Sequence, residues 1–137
     1  MLSRRELSRA ELTTKLIDRG FDRDDVDAAV ERLADRRFVD DRRAAFAHVR
    51  TASRLKGRGR LRIQRELQSR GFSRDLIRDA LAELPPDEDL NAIKRFIERK
   101  ARTVDETPTG RRRLFNQLLR RGFSPAMISK VLKGLEP

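Results

Sequence analysis

Apolar residues recur along this chain in steps of four, four and three, broken at regular intervals by the tripeptide Arg-Gly-Phe. Ahead of each tripeptide, Leu12 and Leu16, Ile63 and Leu67, and Leu114 and Leu118 stand one helical turn apart. Beyond it, Val26, Val30 and Leu33 are matched by Ile77, Leu81 and Leu84, and by Ile128, Leu132 and Leu135. Such spacing lines one face of an α-helix on either side of the tripeptide. The glycines are Gly20, Gly71 and Gly122, so the pattern returns every 51 residues. Self-similarity at a fixed period of this size marks a tandem repeat.

The tripeptide itself reads as a junction between two helices. Glycine suits the left-handed position just past a helix end, and the preceding arginine suits the negative end of the helix dipole. The residues that follow, Asp22, Ser73 and Ser124, are good N-caps for the next helix. Pro125 falls at the first helical position, where proline is favoured. Phe21, Phe72 and Phe123 are expected to fold back into the core. A further helix precedes the pair in the second and third repeats, over Asp41–Leu55 and Asp89–Arg102. Phe46 and Phe96 correspond between them, with a length change of one residue. Loops are expected at Lys56-Gly57-Arg58-Gly59 and over Val104–Gly110. The first repeat has at most a stub of its lead helix, around Leu2–Glu6.

The fold class predicted is therefore all-α: an elongated, curved array of three tandem three-helix repeats, the first with a truncated lead helix. The repeats are placed at residues 1–37, 38–85 and 86–137, with Phe38-Val39-Asp40 and Pro85-Pro86 at the boundaries. Units of about fifty residues sit near the lower limit for a self-sufficient core, so neighbours should pack on one another.

Composition sharpens the picture. Charged residues make up 40% of the chain and hydrophobic ones 37%, so the cores must be small. The absence of cysteine excludes disulfides and thiolate metal sites and fits a reducing cytoplasm. No stretch is apolar enough to span a membrane, and the N-terminus lacks the apolar run of a secretory signal. The net charge of +11 lies wholly after residue 49, because the segment before it is balanced. Two blocks hold the excess, Arg50–Arg70 and Lys94–Arg121. Basic blocks at equivalent places in a repeat point to a polyanionic partner. The candidate contacts are Arg50, Arg54, Lys56, Arg58, Arg60, Arg62, Arg65 and Arg70 in the second repeat. In the third they are Arg99, Lys100, Arg102, Arg111, Arg112, Arg113, Arg120 and Arg121. Arg58, Arg62 and Arg65 follow the spacing of one helical face. Arginine grips phosphate with paired hydrogen bonds and grips carboxylate equally well, so both a nucleic acid and an acidic protein groove fit.

Candidate catalytic chemistry is nearly absent. His48 is the single histidine, in a helix among Phe46, Ala47 and Val49, and reads as structural. The acidic clusters Asp22, Asp24, Asp25, Asp27 and Asp87, Glu88, Asp89 could hold magnesium, but they fall at helix starts, where carboxylates meet free amides. Neither an enzymatic activity, a cofactor, a metal nor a small-molecule substrate is expected. Without tryptophan or tyrosine, stacking on single strands is disfavoured. Contacts to a charged backbone remain, and they are salt-sensitive.

Three stretches carry a family resemblance: “LSRRELSRAELTTKLIDRGFDRDDVDAAVERL” at 2–33, “FVDDRRAAFAHVR” at 38–50 and “GRGRLRIQRELQSRGFSRDLIRDAL” at 57–81. With the repeated helix–Arg-Gly-Phe–helix plan, the chain resembles the RecX family, regulators of the RecA recombinase in DNA recombination and repair. The third repeat matches more loosely. Family members carry more chain ahead of “LSRRE”, consistent with a short first lead helix. The resemblance implies a non-enzymatic modulator whose partner is the RecA protein in its nucleoprotein filament. Such a protein lies in the filament groove and lowers ATPase and strand-exchange activity. Single- and double-stranded DNA are further implied partners. The alternative, from charge alone, is a general nucleic-acid-binding helical protein.

Overall fold

The structure, a computed structural model, describes residues 6–100 and 107–134. Of the expected stub around Leu2–Glu6 only Glu6 is described, and it is not helical; Leu2–Arg5, the end of the expected lead helix at Arg102, and Leu135 lie outside the described residues. The rest is helical: α1 (Arg9–Asp18), α2 (Arg23–Asp35), α3 (Asp41–Arg54), α4 (Arg60–Ser69), α5 (Arg74–Leu81), α6 (Glu88–Lys100), α7 (Pro108–Arg120) and α8 (Pro125–Gly134). The tandem plan of the sequence is met: α3, α4 and α5 form the second repeat, α6, α7 and α8 the third, and α1 with α2 the described part of the first.

Each Arg-Gly-Phe closes a helix in the same way. The glycine N–H donates to the carbonyl three residues back and the phenylalanine N–H to the carbonyl five back. These bonds are Gly20 to Ile17 and Phe21 to Leu16, Gly71 to Gln68 and Phe72 to Leu67, and Gly122 to Leu119 and Phe123 to Leu118. Paired bonds of this kind satisfy the last carbonyls of a helix and require a positive φ at the glycine. The three glycines have φ of 98°, 84° and 99°. The expected caps follow: Asp22 accepts from the Asp24 N–H, Ser73 from Leu76 and Ser124 from Met127.

Of the expected loop over Val104–Gly110, residues 104–106 lie outside the described residues, and the last three belong to α7, which starts at Pro108. Thr107 caps it by accepting from the Gly110 N–H. Proline at the first helical position forfeits no hydrogen bond, the reason that also applies at Pro125. Helix α3 ends at Arg54, leaving Leu55 exposed. Phe21 corrects the expectation that all three junction phenylalanines are core: it is 58% exposed, whereas Phe72 and Phe123 are buried. A Cβ added at Gly20 would meet nothing within 4 Å. At Gly71 and Gly122 it would strike the first turns of α1 and α4, at Ala10 and Arg62. A junction buries its phenylalanine where another helix is pressed upon it, and among the described residues none is pressed on the first.

The chain divides into two compact units that do not follow the repeats. One holds residues up to Thr51 with Arg65–Glu83; the other holds Ala52–Gln64 with residues from Leu84 onward. In the first, Val26, Val30, Val49, Leu67, Phe72 and Ile77 are buried. The core of the second gathers Ile93, Phe96, Leu114, Leu118, Phe123, Ile128 and Val131. Helices α3 and α4 each contribute residues to both units.

The three glycines should respond unequally to alanine. At Gly122 the new Cβ would lie 2.3 Å from the Arg62 Cβ and 2.5 Å from its backbone nitrogen. Left-handed strain and overpacking together should cost about 3 kcal/mol there, against about 1 kcal/mol for Gly20→Ala, where strain acts alone. Urea unfolding of the two variants measures the difference.

Candidate anion-binding cleft

In the first unit, Ser8 caps α1 and its hydroxyl donates to the carbonyl of Arg70 at 2.6 Å. Glu11 completes the cap by accepting from the Ser8 N–H at 2.8 Å. The same carboxylate receives the Arg70 guanidinium, with Nε and Nη2 donating to Oε1 at 3.1 and 3.0 Å. Arg70 also donates to the Glu6 carbonyl and lies over the Phe72 ring. A third N–H of this guanidinium points at His48 Nδ1, 3.4 Å away, so His48 carries its proton on Nε2 and donates to Glu66 at 2.9 Å. Arg70 is only 7% exposed. Expected among the surface contacts, it is instead committed to an internal ion pair, because its position just before the glycine faces the packed first turn of α1.

The second unit has the same kind of joint. Gly59 N–H, at the start of α4, donates to the Arg121 carbonyl at 2.7 Å, and Leu61 N–H donates to the Gly122 carbonyl at 3.1 Å. The open donors of one helix start thus meet the last carbonyls of another helix end, two sets of backbone groups that would otherwise need water. Beside this joint lie two adjoining depressions. One is lined by Arg54, Leu55, Lys56, Arg95, Phe96, Arg99 and Arg121, with Ser53, Gly57 and Ala92. The other is lined by Lys56, Arg58, Arg62, Phe96, Lys100, Gln117, Arg120 and Arg121. None of these residues is acidic. Phe96 forms a buried floor over which Arg121 stands at 4.6 Å, Lys100 at 5.7 Å and Arg99 at 5.9 Å. Burial, then the charges of Arg99 and Arg62, pull the Arg121 guanidinium below its ordinary value. It stays charged at neutral pH, since arginine does not deprotonate in proteins. An anion in this cleft would relieve that strain.

Of the residues expected from sequence, the fold brings together Arg54, Lys56, Arg58 and Arg62 with Arg99, Lys100, Arg120 and Arg121. The two basic blocks meet because the end of α3 and the start of α4 fold with α6 and α7 in one unit. Arg58 is not on the helical face expected for it, since α4 begins at Arg60. It lies in the preceding turn, its N–H donating to the Ala52 carbonyl at 3.0 Å. Arg60 serves structure: its guanidinium donates to the carbonyls of Leu84 and Pro85, and its N–H donates to Asp89. Arg50 and Arg65 are exposed but belong to the first unit. Arg111, Arg112 and Arg113 open α7 and do not line the cleft. Arg102 lies outside the described residues. Sequence reasoning missed Arg95, although its place four residues before Arg99 on one helix was a usable signal.

Fold and site together define a helical-repeat protein with a cation-lined cleft. Three domain families match the chain: the first three-helix domain of RecX over residues 1–33, the second over 40–81 and the third over 87–132. Regulatory protein RecX of Mycobacterium sp. (strain KMS) is 31% identical over 96% of this chain and 75% of that protein. Regulatory protein RecX of Xanthomonas axonopodis pv. citri (strain 306) is 41% identical over 90% of this chain and 75% of that protein. The crystal structure of RecX from Lactobacillus salivarius superposes with a TM-score of 0.76 at 21% identity, covering 95% of this chain and 86% of that one. The chain belongs to the RecX family, and its role is regulatory.

Two measurements check the site's architecture. Glu11→Ala leaves a buried Arg70 without its carboxylate and removes half of a cap, so stability should fall by about 3 kcal/mol in chemical denaturation. Asp89 gives a pH test. Burial raises its carboxyl above the ordinary 3.8, against the pull of the Arg60 N–H and guanidinium. Its folded state therefore holds the proton more tightly than the unfolded chain. That contribution is fully present below 3.8 and is lost as pH rises through the raised folded value. Asp89→Asn should remove this fall from the stability–pH curve.

Proposed function

We propose that this protein is a non-enzymatic modulator of RecA that acts in the cytoplasm. It binds the groove of the RecA–DNA filament and lowers ATPase and strand-exchange activity. Membership of the RecX family supplies the regulatory class. The observation that carries the reading is the cleft of the second unit, in which two basic blocks of the sequence meet with no acidic residue among its described lining. A repeating polyanionic assembly fits such a surface, and a modulator of this kind needs no catalytic group of its own. Arg54, Lys56, Arg58, Arg62, Arg99, Lys100, Arg120 and Arg121 are the proposed contacts.

The same cleft supports a second reading, general binding of single- or double-stranded DNA through its phosphates. The two differ in stoichiometry. Titration into the single-strand-DNA-dependent ATPase of the cognate RecA should give complete inhibition well below one protein per RecA. Inhibition only at amounts that coat the DNA, relieved by adding more DNA, would sink the filament reading in favour of the second.

A further inference from the structure

The 51-residue repeat provides an internal comparison. At that interval Ser8, Glu11, Glu66 and Arg70 of the first unit correspond to Gly59, Arg62, Gln117 and Arg121 of the second. The accepting carbonyl is kept while its donor changes from side chain to backbone: the Arg70 carbonyl accepts from the Ser8 hydroxyl at 2.6 Å and the Arg121 carbonyl from the Gly59 N–H at 2.7 Å. The charges are not kept. One carboxylate has become a cation and the other an amide. Where Arg70 receives the Glu11 carboxylate through two donors, Arg121 stands beside Arg62 and Arg99 and donates to the Lys56 carbonyl at 3.4 Å. Arg62 donates to the Arg120 carbonyl at 3.4 Å. Arg70 is buried, whereas Arg121 is half-exposed and reachable.

We propose that Arg62 and Arg121 form a seat for a backbone phosphate of a nucleic-acid strand, in the place that Glu11 takes on Arg70 in the first unit. Planar guanidinium groups match the paired oxygens of a phosphodiester as they match a carboxylate. A protein carboxylate would satisfy one arginine, but the cations continue along both depressions from Arg54 to Arg120, as a strand with a charge at every nucleotide demands. Protein contacts also draw on apolar anchors. Here the floor ring, Phe96, is 4% exposed beneath its cations, and among the described residues that line the two depressions Leu55 is the one exposed large apolar side chain. The inference rests on the function proposed above for its setting, and adds that the cleft meets the nucleic acid of the assembly.

The test is fluorescence anisotropy of a labelled single-stranded oligonucleotide across a salt series, without RecA. It compares the wild type with Arg62→Gln, Arg62→Glu and Lys133→Glu, an exposed control on α8 outside the cleft. Arg62→Gln should weaken binding and lower the log–log salt slope by about one. Arg62→Glu should weaken it by about tenfold or more, as a carboxylate inside the seat repels phosphate. Its unfolding temperature should hold or rise, because the new carboxylate meets Arg121 as Glu11 meets Arg70; Lys133→Glu should show no such rise. Equal losses of affinity in Arg62→Gln and Lys133→Glu overturn the seat. Unchanged oligonucleotide affinity in Arg62→Gln together with lost binding of polyglutamate also overturns it, assigning the cleft to an acidic protein. If the oligonucleotide results are as expected and the wild type leaves RecA ATPase untouched, the seat stands and the RecA reading falls.

Discussion

One contact recurs at the points where successive repeats are joined: the start of a helix donates to the carbonyl just before the glycine that ends another. Ser8 does this to Arg70 and Gly59 to Arg121. In both cases the contact satisfies a carbonyl at a helix end, and at Gly59 it also satisfies a backbone donor at a helix start, groups that a helix cannot satisfy by itself. It also dictates the sequence around it. The approach is so close that the residue after the receiving carbonyl must be glycine, for its positive φ and for the missing Cβ. The burial of Phe72 and Phe123 beside two of the junctions, and not of Phe21, follows from whether a helix has been pressed there.

Because the accepting group at both joints is a backbone carbonyl, the charged side chains around it are free to differ. In the first unit they compose a hydrogen-bonded network of Glu11, Arg70, His48 and Glu66. In the second they compose a cluster of cations above a buried ring. A repeated scaffold can thus hold itself together with an ion pair at one joint and gather cations around the next. A buried ion pair contributes little net stability once desolvation is counted, so exchanging it for exposed cations need not cost the fold.

Much of this was legible in the sequence. Helical spacing and the glycine period located the helices and junctions, since both reflect local backbone rules. The basic blocks were legible as blocks. What sequence could not convey was which members of a block meet. Arg70 and Arg62 read alike along the chain, yet one is sealed against Glu11 and the other lines a cleft, because burial depends on partners 59 residues away in one case and 58 in the other. The start of α7 at Pro108 was missed for a smaller reason: proline and glycine in “TPTG” read as loop punctuation, although threonine before proline is also how a helix begins.

Helices α3 and α4 each contribute to both compact units, so the unit of folding is offset from the unit of repetition. The buried face of the first repeat is completed by residues 65–83, which lie past the end of that repeat in the sequence. Repeats of this design are therefore not equivalent as pieces. Cutting after the first repeat strips its unit of residues 65–83, whereas the apolar core of the second unit lies wholly within the third repeat.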